Sequence, residues 1–107
     1  MRPRHYVYVI ELNPQVWTEP KFRRANPNYI EGNPFVYVGM TGRDPDLRFD
    51  QHKAGIKANR FAQMYGERLA LECMAELRQP MTASDAKYGE VDFAIRLRER
   101  GWGVWQA

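Results

Sequence analysis

The sequence predicts an α/β (α+β) fold, a small three-stranded, mainly antiparallel sheet flanked by helices. Three observations carry that reading. Two short runs, HYVYVIEL over 5–12 and FVYVGM over 35–40, are β-branched and aromatic almost throughout, as strands are. Helix start and stop signals follow them: Asp44-Pro45 with Gly55, then Thr82 or Ser84 with Gly101. The chain has 107 residues, of which 44% are hydrophobic, enough for one core and too short for two domains. Residues 1–107 are therefore read as a single domain.

In the first run, alternation puts Tyr6, Tyr8 and Ile10 on one face and Val7, Val9 and Glu11 on the other. Residues 13–34 change character and read as a long insert between the first two strands. Pro14, Pro20, Pro27 and Pro34 forbid a long regular element there. Trp17, Phe22 and Tyr29 are interleaved with Lys21, Arg23 and Arg24. Two readings stand: a surface loop pinned by its rings, or a nucleic-acid contact lobe with cations for phosphates and rings for stacking.

In the second run Phe35, Tyr37 and Gly39 share a face, so an antiparallel hairpin can place Tyr8 and Tyr37 side by side. Gly39 leaves room for close backbone approach. The helix from Asp44 to about Ala54 carries Arg48 and His52 four residues apart, on one strip, with Leu47 and Phe49 toward the core. Residues 56–65 read as a short helix exposing Lys57 and Arg60. Residues 67–77 read as a third strand, although their propensity favours a helix. The last helix, ending at Gly101, has a stripe of Ala83, Ala86, Phe93, Ala94 and Leu97, widened by Val91 and Ile95. Glu90 falls inside that stripe and needs a partner or an ion, because an unpaired buried charge is costly. The tail WGVW returns to cover the core.

The single cysteine, Cys73, excludes an internal disulfide and a cysteine-based zinc cluster, which suits a reducing, cytoplasmic setting. No apolar run approaches a membrane span, so no membrane partner is expected. A net charge of +3 permits a nucleic-acid partner without establishing one.

The candidate site residues are Tyr8, Tyr37, Arg48, His52 and Glu90. Each alone has an ordinary explanation: a packed tyrosine, a solvated arginine or one paired with Asp44, a structural histidine, an ion-paired glutamate. Their joint occurrence on two neighbouring strands and two helices is what weighs toward chemistry. In order and spacing they resemble the GIY-YIG nuclease domain over nearly the whole chain. Tyr6-Val7-Tyr8 stands for the first motif of that family and Tyr37-Val38-Gly39 for the second, followed by Met40-Thr41. Arg48 and His52, in RFDQH, match the helix arginine and the histidine of several members. Glu90, ahead of the Phe93–Leu97 run, matches the metal-binding glutamate. The chain departs in having Tyr6 at the first glycine, Met40 at a lysine, Asp92 at an asparagine, an added residue at Asp44-Pro45-Asp46, and the long insert.

The resemblance implies metal-dependent hydrolysis of phosphodiester bonds in DNA, with magnesium, or manganese in its place, on Glu90. It implies Arg48 as a phosphate clamp and Tyr8 as general base, with Tyr37 orienting the water or sharing the proton. His52 would relay the proton from the phenol. Lys21, Arg23, Arg24, Gly39, Thr41, Lys57 and Arg60 form the expected nucleic-acid-binding set. The catalytic face is small, so affinity is expected to come from the basic aromatic insert, from a second copy or from a protein partner. The competing readings are a non-catalytic nucleic-acid-binding module of the same fold and a small structural α/β protein.

Overall fold

The computed structural model describes residues 2–107. A four-stranded sheet carries the core, with strands β1 (Tyr6–Leu12), β2 (Phe35–Thr41), β3 (Gly66–Leu69) and β4 (Gly103–Gln106) in the order β3-β1-β2-β4. Five α-helical segments surround it: α1 (Pro20–Arg24), α2 (Pro45–Lys53), α3 (Arg60–Tyr65), α4 (Leu71–Met74) and α5 (Ala83–Glu99). None is long and apolar enough to cross a membrane among the described residues.

The expected three strands are thus four. β1 pairs antiparallel with both β2 and β3, so the chain crosses from β2 past β1 to place β3 on the other side of β1. The tail does more than cover the core: as β4 it pairs parallel with β2, Val104 opposite Val36 and Gln106 opposite Val38. Gly101, at φ +83°, ends α5 in the left-handed region and turns the chain back toward the sheet. The third strand is also shorter than expected. It stops at Leu69, and Leu71–Met74 is helical, with Leu71 pointing outward. Here the helical propensity of LECM prevails over the alternation.

Val7, Val9, Val36 and Val38 are buried on one face of the sheet, under α5. α5 approaches so closely that a Cβ on Gly89 would touch Val7 Cγ2 at 3.3 Å. Its buried residues are Ala86, Glu90, Phe93, Ala94 and Leu97. Val91 and Ile95, expected to widen this stripe, are exposed because they lie beyond the strip that faces the sheet. On the other face Tyr8, Ile10, Tyr37 and Phe35 meet α2, α3 and the insert.

The insert folds back on the sheet. Asn13 caps a 3₁₀ turn over Pro14–Thr18, and α1 follows. Its rings are used in packing: Tyr29 stacks on Phe35 at 4.6 Å, Trp17 lies 4.7 Å from Tyr29, and Phe22 is fully buried. Asn26 fastens the insert to β4, its amide nitrogen donating to the Val104 carbonyl and its oxygen accepting the Val104 N–H. An amide side chain here does the work of another strand.

Candidate active site

Three of the expected site residues meet on the α2 face of the sheet. Tyr8 lies opposite Gly39 and Tyr37 opposite Ile10, so the two tyrosines are diagonal neighbours on one face, as alternation predicts. Their ring centroids are 6.1 Å apart. His52 closes the triangle at 5.9 Å from Tyr8 and 5.2 Å from Tyr37. The Tyr8 hydroxyl and His52 Nε2 are hydrogen-bonded at 2.7 Å. All three side chains are buried, His52 completely.

Local sequence builds this triangle. Gly39 is bare because the Tyr8 ring lies across it: an added Cβ would sit 2.5 Å from the Tyr8 hydroxyl and 2.6 Å from Cζ. Asp44 caps α2 by accepting from the Asp46 N–H, and Pro45 starts it. These fix the rotation that sends His52 inward. Leu47, expected in the core, is 43% exposed instead, while Phe49 is half-buried against the core. Having few apolar residues to bury, α2 is anchored by polar bonds, with Lys53 Nζ donating to the Gln63 and Gly66 carbonyls.

Arg48 leans over the segment that follows α2. Its Nη1 donates to Gln51 Oε1 and the Ile56 carbonyl, and its Nη2 to the Lys57 carbonyl at 2.8 Å. It makes no pair with Asp44. The same segment reaches His52, whose Nδ1 accepts the Asn59 N–H at 3.1 Å. Thr41, Arg43, Arg48, Gln51 and Lys57 line an open cleft of about 500 Å³. Arg43 has no place in the sequence-based set; its only signal is its position in the turn after β2.

Glu90 makes no hydrogen bond to the triangle, although its charge reaches both tyrosines. It belongs to the helix on the opposite face, and its Oε1 accepts a bond from Gln106 Nε2 at 2.9 Å. No fully buried side-chain oxygen lacks a partner among the described residues, so Oε2, which accepts no bond, is open to solvent. Burial raises the pKa of Glu90, and the Gln106 bond offsets this in part. No cluster of three or more metal-ligating side chains occurs among the described residues. One carboxylate with a free oxygen therefore fits a hard cation completed by water and phosphate oxygens, and does not fit a protein-enclosed cage.

The electrostatics separate the two tyrosines. Burial raises both above the ordinary phenol value. On Tyr8 the Arg48 charge and the Tyr37 hydroxyl pull back, with Glu90 adding a small rise. On Tyr37, both Tyr8 and Glu90 push further up, and only Arg48 opposes them. Burial, then Arg48, lowers His52 to about 4, so the imidazole is neutral at pH 7.

The expected binding residues are scattered. Lys57 lines the cleft beside Thr41. Arg60 does not line the cleft; it is held in a two-bond pair with Glu19, which also accepts from the Tyr65 hydroxyl. Lys21 lies over the Trp105 ring, and Arg23 donates to the Trp17 carbonyl. Arg24 is exposed on α1. Gly39 is buried beneath Tyr8. No family model, curated protein or solved structure matches the chain.

Proposed function

We propose that this protein is a metal-dependent endonuclease of the GIY-YIG kind, hydrolysing phosphodiester bonds in DNA. The observation that carries the reading is the buried triangle of Tyr8, Tyr37 and His52 with Arg48 beside it. Packing alone calls for rings at these positions, but it does not call for two hydroxyls and an imidazole facing one another beside a guanidinium.

Tyr8 is the better base of the two phenols, since Arg48 and Tyr37 stabilise its ionised form while Tyr37 has mostly opposing neighbours. Arg48 grips a non-bridging phosphate oxygen and offsets charge that builds in the transition state. Glu90 would hold magnesium through its free oxygen, and the cation would polarise the phosphate and stabilise the departing 3′ oxygen. Arg43 and Lys57 flank the cleft next to Arg48 and would track the phosphate backbone.

A second reading, a nucleic-acid-binding module of the same fold without catalysis, draws on the position of Glu90. That carboxylate comes from α5, is not bonded to any member of the triangle, and is already bonded to Gln106. Labelled single-stranded, duplex and branched DNA, incubated with magnesium or with a chelator, separates the two. Products that need magnesium, and vanish in Glu90→Ala and Tyr8→Phe, support the nuclease. Binding with no product from any substrate supports the module.

A further inference from the structure

The hydrogen bonds around His52 determine more than its position. Its Nδ1 faces the Asn59 backbone N–H at 3.1 Å. A peptide N–H can only donate, so Nδ1 must present its lone pair. A neutral imidazole carries its one hydrogen on the other nitrogen. Nε2 is therefore protonated, and the 2.7 Å bond to Tyr8 runs from Nε2–H to the phenol oxygen. A flipped ring would turn carbon atoms toward both partners, so the ring orientation is fixed by the same pair of bonds.

We propose that His52 is a fixed hydrogen-bond donor to Tyr8, set in its Nε2–H tautomer by the main chain of Asn59, and that it does not take the Tyr8 proton. The catalytic meaning of this assignment rests on the nuclease reading; the tautomer itself does not. To accept the phenol proton, Nε2 would have to be bare. The imidazole hydrogen would then lie on Nδ1, directed at the Asn59 N–H. An imidazolium would meet the same obstacle. The low His52 pKa, the complete burial of the ring and the nearby Arg48 charge act in the same direction.

Two consequences follow for Tyr8. Its own hydroxyl hydrogen is left free to point at Tyr37 or at a water, away from His52. When that proton leaves, the phenolate keeps the Nε2–H bond, which strengthens as charge appears on the oxygen. His52 is thus a positioning residue that acts through Tyr8. The expectation that it relays the proton is replaced by one in which it steadies the phenolate. Asn59 has a second tie to its place, since its side-chain oxygen accepts the Phe61 and Ala62 N–H groups at the start of α3.

The deciding measurement is nitrogen-15 NMR of the imidazole in the wild-type protein near neutral pH. A protonated, pyrrole-type Nε2 beside an unprotonated, pyridine-type Nδ1 is expected. The reverse pattern, or two protonated nitrogens, overturns the proposal. Cleavage assays give a second reading. Glutamine can donate a hydrogen bond but cannot accept a proton at this pH. His52→Gln should therefore lose no more than about tenfold in rate, the worth of one displaced hydrogen bond, and His52→Leu should lose more. A loss of about a hundredfold or more in a folded His52→Gln protein would mark His52 as the proton acceptor and overturn the assignment. If the wild type cuts no DNA, the nuclease reading fails while the NMR pattern still decides the tautomer.

Discussion

Gly39→Ala tests whether the Tyr8 ring is held where the site needs it. The added Cβ would sit 2.5 Å from the Tyr8 hydroxyl and 2.6 Å from Cζ, well inside contact distance. A flexible surface side chain would swing away at little cost. Tyr8 is 1% exposed and tied to His52, so it can leave Gly39 only by breaking that bond and disturbing its neighbours. Overpacking a close-packed core costs about 1–3 kcal/mol, and the lost hydrogen bond about 0.5–1.5 kcal/mol more. Together these give roughly 2–4 kcal/mol, or a drop of roughly 10–20 °C in Tm for a domain of this size. Gly42→Ala is the internal control. Its Cβ would meet the tip of the His5 ring at 2.9 Å, and His5 is only half-buried, so the ring can give way. Thermal melts of both variants, followed by circular dichroism, supply the assay. A Gly39→Ala protein melting within about two degrees of the wild type, with the His52 nitrogen signals unchanged, would refute the placement of Tyr8.

The remaining predictions concern pH, charge and the insert. His52 is neutral when folded, with its pKa lowered from 6.5 to about 4, so the unfolded chain binds more protons in that window. Stability should fall as pH drops from about 6.5 toward 4, by up to about 3 kcal/mol, and urea titrations of His52→Gln should show a shallower fall. Replacing Arg43 and Lys57 together with alanine should weaken DNA binding and reduce the slope of log affinity against log salt by about two; an unchanged slope would remove the cleft from the DNA path. Asn26→Ala strands the buried Val104 N–H and releases the insert from β4, which should cost roughly 2–4 kcal/mol in urea unfolding.

Local patterns made much of the fold legible, and contacts between distant segments account for what was missed. Alternation in VYVI and FVYV placed Tyr8 and Tyr37 on one face, because one face of each strand must pack and register follows. Asp44-Pro45 and Thr82 marked helix starts that the caps confirm. Nothing in WGVW alone indicates a parallel strand, since that pairing depends on where α5 delivers the tail. Leu47 was misplaced because α2 is oriented by His52 and Lys53 rather than by an apolar stripe. The partner that Glu90 was expected to need is Gln106, sixteen residues on, and no spacing rule points to it. Asn59 carries a visible signal as the cap before RFAQMY, but the use of its N–H to fix a histidine depends on tertiary structure.

The segment between α2 and α3 couples the two helix residues that the site depends on. It contains Gly55 at φ +80° and Lys57 at φ +46°, the latter a conformation that costs a residue with a side chain about 1–2 kcal/mol. That conformation is held from both sides, by Arg48 on the Ile56 and Lys57 carbonyls and by His52 on the Asn59 N–H. Arg48 has five N–H donors, and three are engaged with Gln51, Ile56 and Lys57. The Nε hydrogen and one on Nη2 remain, enough to take two oxygens of a phosphate without releasing the segment. The clamp on the segment and a clamp on phosphate are therefore compatible in one side chain. A lysine at this position would lose one or the other, because its ammonium has three donors and no planar fork. The same bonds mean that Arg48 and His52 are not independent. Freeing the segment from Arg48 leaves the Asn59 N–H held from the α3 side alone, which loosens the arrangement that points a hydrogen at Tyr8.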